Sequence, residues 1–180
     1  MSADYAIGFD PSLTHFGYAI AHYDAPGVPV HFIETGVWTT APTRSEAKTA
    51  GYARRCEGLA RSLFDLVARF GRPALVACEG TAIPFGRTSM QTVAALGRVR
   101  GLVDAFAAAQ ALTVVEFQPA HLKRLLTGDQ KASKATIRAV VETAYPELER
   151  LWPARQSDIE HAADAAAALH AALTTQHREG

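Results

Sequence analysis

Asp10, Glu79, His161 and Asp164 are the residues whose types and spacing could do chemistry. Asp10 and Glu79 each follow a short apolar run, Tyr5-Ala6-Ile7-Gly8-Phe9 and Ala74-Leu75-Val76-Ala77-Cys78. His161 and Asp164 are three residues apart, hence about 60° apart on one helix face at 3.6 residues per turn. A charge at the end of a buried strand costs several kcal/mol to desolvate unless a cation or donors meet it. Oxygen and imidazole ligands drawn from two strand ends and a helix suit hard divalent cations such as Mg²⁺ or Mn²⁺. Two such ions, about 3.5–4 Å apart, would hold both oxygens of an in-line phosphoryl displacement. The plainer alternatives are a turn aspartate at Asp10 and a solvated first helical turn around His161 and Asp164, where the dipole favours acids. Asp158 lies near the same helix face and is a reserve candidate.

These residues must be positioned by a mixed α/β pattern. The apolar run ending at Asp10 reads as a strand buried on both faces, stopped by Pro11. Strands are expected over 16–21, 30–38, 74–78 and 113–117, with a bulge at Gly36 and a hairpin loop over 24–29. Ser45 is the expected cap of a helix running to about residue 70, which Gly71-Arg72-Pro73 ends. Further helices are expected over 91–111, 119–126 and 133–145, with a last one starting near Ser157. Ser157 and Glu160 have capping-box spacing. The first three strands form an antiparallel meander, and helical crossovers then make strands one, four and five parallel. Ligands in such sheets bind at the carboxyl ends of parallel strands, where Asp10 and Glu79 both stand.

The 180 residues fit one domain, and 48% hydrophobic with 20% charged residues is ordinary for a globular protein. No apolar run approaches the roughly 18 residues of a membrane span, and the first residues lack the pattern of a signal peptide. Two cysteines, Cys56 and Cys78, are too few for a disulfide scaffold or a zinc cluster. They point to a reducing compartment, and a cytoplasmic location is expected. Net charge is zero, but residues 80–138 hold eight basic residues against three acidic ones. A basic middle is what a phosphate-tracking surface requires, although a solvated helix pair could also show it.

Taken in order, these residues resemble the RuvC family of Holliday junction resolvases, over residues 7–172. Ile7-Gly8-Phe9-Asp10-Pro11 with Gly17-Tyr18 resembles the family's first strand and hairpin, and Cys78-Glu79 its second acidic site. Leu96-Gly97-Arg98-Val99-Arg100-Gly101 is similar to its LGxxxG helix signature. Leu122-Lys123, Gly128, Ala132 and Lys134 match its basic segment, and His161-Ala162-Ala163-Asp164-Ala165 its terminal acidic helix. The resemblance implies a ribonuclease H-like fold and a metal-dependent endonuclease that cuts four-way junctions by paired nicks, leaving 5′-phosphate and 3′-OH ends. It implies Asp10, Glu79, His161 and Asp164 as catalytic and metal-binding residues, with two Mg²⁺ ions for which Mn²⁺ substitutes. His161 could instead activate or orient the water.

The resemblance further implies branched DNA as partner, with Lys123 and Lys134 on phosphates near the cut and Arg98, Arg100 and Lys131 beside them. A homodimer is implied, with the helix over 91–111 as candidate interface, and so is a branch-migration helicase as a further partner. Phe85 is the candidate aromatic wedge, or else a core phenylalanine. Ser12 and the turn at Thr14-His15-Phe16 depart from the family pattern, and the segment between Glu79 and Leu96 is longer than usual. Two alternatives stay open: a nuclease of the same fold acting on other branched DNA or RNA-containing duplexes, and an actin-like ATPase or kinase. The latter needs a Gly-Thr-rich phosphate turn that Pro11-Ser12-Leu13 does not supply.

Overall fold

The computed structural model describes residues 5–22, 30–43, 48–80 and 89–179. Three expectations fall outside them: the hairpin loop over 24–29, the cap at Ser45 and the role of Phe85. The strands are β1 (Tyr5–Asp10), β2 (His15–His22), β3 (His31–Thr39), β4 (Leu75–Glu79) and β5 (Val114–Phe117). They form one sheet in the order β3-β2-β1-β4-β5. The meander is antiparallel, and β4 and β5 run parallel to β1, as the connections required.

Alternation along β1 decides which residues meet which helices. Tyr5, Ile7 and Phe9 point into a core with α1 (Lys48–Phe70) and α2 (Met90–Ala109). Ala6 belongs to the opposite core, built on α6 (Gln156–Glu179). With a side-chain period of two, Asp10 falls on the α6 face. The same parity holds in β4, where Val76 and Cys78 face α1 and α2 while Leu75 and Ala77 face α6, so Glu79 follows Ala77 to that side. Phe9 is level with Cys78 in the register, which sets Asp10 beside Glu79.

The α6 helix lies against this face at backbone range. Ala162, Ala165, Ala166, Ala168 and Ala172 are fully buried. A methyl group on Gly8 would overlap the Ala165 carbonyl oxygen, and one on Gly17 would overlap that of His161. Two glycines on the sheet and a run of alanines on the helix thus bring the helix axis close enough for short side chains to reach the strand ends.

The remaining helices are α3 (Pro119–Thr127) and α4 (Lys134–Ala144), which pack against α6, and α5 (Leu148–Leu151), which packs against β3 and α4. Gly128 ends α3 in the left-handed conformation at φ 79°, and Ser133 caps α4 through the Thr136 amide. No described helix is long and apolar enough to cross a membrane.

Two local expectations need correction. The irregularity in β3 falls at Ile33, which has no partner between the Ile20–Glu34 and Ala21–Phe32 pairs. Gly36 is paired with Tyr18 and leaves room for that phenol ring, so its missing side chain serves packing. The Ser157–Glu160 capping box does not form, because α6 already begins at Gln156. The Ser157 hydroxyl turns to Asp158, 3.3 Å away, and Glu160 reaches Lys134 at 3.6 Å. The segment leading into α6 contains the single turn α5, too short for periodicity to reveal.

A candidate acidic metal centre

Asp10, Glu79 and Asp164 each offer a carboxylate oxygen, and the three oxygens lie within 4.8 Å of one another. They come from the ends of two neighbouring parallel strands and from the third turn of α6. Asp164 is buried, 9% exposed, while Asp10 and Glu79 are half-buried. Burial, then repulsion from Asp164 and Asp10, pushes Glu79 up to about 8, with Lys134 and Lys123 pulling the other way. Burial also raises Asp164 above the usual carboxylate range, against the pull of its hydrogen bond from Lys134. Three acids held this close need a positive partner to ionise together. An all-oxygen donor set of this kind fits a hard divalent cation.

His161 joins the group by a different route. Its Nδ1 lies 2.6 Å from Asp10 Oδ2, and that bond is the main cause of its raised pKa. The Nδ1 contact leaves Nε2 as the ring's other polar atom. On its outer side the ring stacks on His15, with centroids 5.4 Å apart and planes 3° from parallel. His15 begins β2, and its backbone amide donates to the Ser12 hydroxyl at 3.3 Å. The departures from the family pattern at Ser12 and His15 therefore sit beside the candidate site. Sequence reasoning noted those departures but missed the stack, since nothing in the chain's order shows that residues 15 and 161 meet.

Lys134 closes the other side. Its ammonium donates to Asp164 Oδ2 at 2.8 Å from the first turn of α4. Burial disfavours its charge, but the Asp164 bond and the neighbouring acids outweigh that and raise its pKa. Lys123 is half-buried on α3 and close enough to act on Glu79. Arg98 and Lys131 are exposed. Arg100 is different: its guanidinium is paired with Asp104 at 3.0 Å and Glu116 at 2.5 Å, which ties α2 to β5. Two carboxylates inside the fold thus answer the charge of Arg100, the residue expected beside the phosphates. Asp158 stands outside the carboxylate cluster.

A family model for crossover junction endodeoxyribonuclease RuvC matches residues 6–175, nearly the whole chain. The chain belongs to the RuvC family. The RuvC of Azorhizobium caulinodans is 30% identical over 174 residues, covering 97% of this chain and 90% of its own. That of Synechococcus sp. WH7803 is 32% identical over 168 residues, with coverage of 93% and 95%. Among solved structures, Thermus thermophilus RuvC in complex with a Holliday junction substrate superposes with a TM-score of 0.74. It is 22% identical and the match covers 98% of this chain and 96% of that one. The likeness establishes the fold as that of RuvC, and the expected ribonuclease H-like arrangement of a five-stranded mixed sheet flanked by helices holds.

Proposed function

We propose that this chain is a structure-selective, metal-dependent endonuclease that cuts four-way DNA junctions by paired nicks, leaving 5′-phosphate and 3′-OH ends. The convergence of Asp10, Glu79 and Asp164 within 4.8 Å at the carboxyl rim of β1 and β4 carries this reading. The RuvC relatives supply the substrate class through their names. Asp10, Glu79 and Asp164 would hold Mg²⁺, or Mn²⁺ in its place, as a pair of ions. When bound, such a pair supplies an activated water and neutralises charge on the departing 3′-oxygen.

The protein's own groups do the positioning. Asp10 orients the His161 ring through Nδ1, and Nε2 would serve as a ligand or as the acceptor of the water's proton. Lys134 holds Asp164 and places a positive charge where negative charge grows on the phosphate. Lys123, Lys131 and Arg98 guide the flanking backbone, a sequence-independent task. Rigid mounting on two strand ends and a close-packed helix keeps positional error small, on which rate depends steeply.

One such domain makes one nick, so a two-fold junction calls for two copies. We assign the homodimer contact to α2, a self-complementary use of one surface. A cytoplasmic setting and a branch-migration helicase partner belong to the same reading. The test is cleavage of a synthetic four-way junction in competition with fork, flap, linear and hybrid substrates. Preference for the junction with symmetric nicks supports the reading; preference for another substrate replaces it.

A further inference from the structure

Among the described residues only Arg55 and Asp164 are buried charged side chains, at 6% and 9% exposure. Asp164 has Lys134 as its counter-charge. Arg55, on α1, has no carboxylate at ion-pair distance among the described residues. Its Nε donates to Thr40 Oγ1 at 2.8 Å, and its Nη2 to Thr14 Oγ1 at 3.0 Å, the Leu13 carbonyl at 3.1 Å and the Thr40 carbonyl at 3.3 Å. All four acceptors are neutral. The two donors on Nη1 find no acceptor among the described residues, out of the five N–H groups a guanidinium presents.

These bonds tie the turn after Asp10 to the end of β3, but they do not answer the charge. A buried cation without a counter-ion costs several kcal/mol. What lies beside it suggests the missing partner. A groove of about 310 Å³ is lined by Arg54, Arg55, Thr39, Thr40 and Ser62 together with the apolar Trp38 and Leu59. A guanidinium with two unmet donors beside a groove open to solvent is the chemistry of a phosphate site.

Its position on the sheet names the phosphate. Asp10 faces Gly17 on β2, and His15 faces Thr39 on β3, so the groove sits on the same rim as the acidic centre. Strands about 4.8 Å apart put the end of β3 about 10 Å from that of β1. Neighbouring phosphates of one strand lie further apart than the axial rise of roughly 3.4 Å, so this span is at most about three nucleotides.

We propose that this groove takes a backbone phosphate of the cut DNA strand a few nucleotides from the scissile bond, with Arg55 as its counter-charge. The proposal deepens the nuclease reading by adding a contact on the β3 side of the site, away from the basic segment of α3 and α4. Arg55 also anchors a turn, so its own replacement would confound binding with folding. Ser62→Asp instead places a carboxylate at the groove from a half-buried position on α1. Binding is read by fluorescence anisotropy in EDTA, with labelled junction and labelled linear duplex, over a salt series.

Ser62→Asp, folded by circular dichroism, should bind both DNAs about 5- to 20-fold more weakly at low salt. The log–log salt slope should shrink by about 0.9, the value for one lost phosphate contact. Thr143→Asp makes the same charge change at the far end of α4 and should bind as the parent does. Parental affinity and slope in Ser62→Asp overturn the proposal, and so does an equal loss in Thr143→Asp. Parental protein that shows no preference for the junction over duplex would instead count against the junction reading, while the groove would still be read on the duplex.

Discussion

His161 Nδ1 lies 2.6 Å from Oδ2 of Asp10, although 151 positions separate them in the chain. The bond joins the end of the central strand to the second turn of the last long helix. Asp10 therefore has two tasks, facing the other carboxylates and fixing the ring of His161. Asp10→Asn should cut a junction at least 10²-fold more slowly with binding little changed. Single-turnover cleavage beside an equilibrium binding curve separates the two effects.

Glu79 carries a pH prediction. Its folded-state pKa is raised from 4.5 to about 8, so the metal-free fold binds a proton that the unfolded chain has already released. Its contribution to metal-free stability is present below about pH 4.5 and is lost as pH rises through about 8. A divalent cation must displace that proton near neutrality. Calorimetric titration of Mg²⁺ at pH 7 in buffers of different ionisation enthalpy should show proton release. Glu79→Gln should remove most of that release, and affinity in the parent should rise between pH 6.5 and 8.5.

Gly8 and Gly17 set how closely α6 approaches. Gly8→Ala puts a methyl against the Ala165 backbone, which cannot give way without moving the helix. We expect a loss of about 1–3 kcal/mol in a denaturant series, the usual range for overpacking. Gly17→Ala presses on the His161 backbone and should lower kcat more than its stability loss explains. Unchanged activity in a fully folded Gly17→Ala would show that the placement of α6 is not critical.

Lys134 is bonded to Asp164 at 2.8 Å and is expected to serve the reaction rather than general DNA affinity. Lys134→Met should reduce the cleavage rate 10- to 100-fold and weaken junction binding no more than about threefold. Arg100→Met should do the reverse of what its place in the basic segment suggests. It leaves Glu116 and Asp104 without their partner, so thermal stability should fall while the salt slope of binding is preserved.

The sequence made the frame legible because the frame rests on local signals. Apolar runs ending in acids marked β1 and β4, connection lengths made them parallel, and HAAD on an alanine-rich helix supplied the third acid. Which face Asp10 and Glu79 share became visible only in the structure, through the cores their neighbours join. Features set by distant contacts were not legible. Lys134 meeting Asp164, His15 stacking on His161 and the burial of Arg55 all depend on how α1, α4 and the first hairpin dock. Gly36 read as a bulge because glycine suits both a bulge and a close approach, and only the Tyr18 ring distinguishes them. Ser157 and Glu160 had the spacing of a capping box, but the helix begins ahead of them. Arg100 counted as a free positive charge until Glu116, from another strand, came within 2.5 Å.

The central claim is that the three converging acids cut a four-way junction. The most direct measurement is an end-mapped cleavage assay on a synthetic junction with Mg²⁺, run with the parent and with Asp10→Asn. The account predicts symmetric nicks on two opposing strands, 5′-phosphate ends, and almost no product from Asp10→Asn at unchanged binding. Equal cleavage by Asp10→Asn, or a parent that leaves the junction whole while cutting linear duplex, would contradict it.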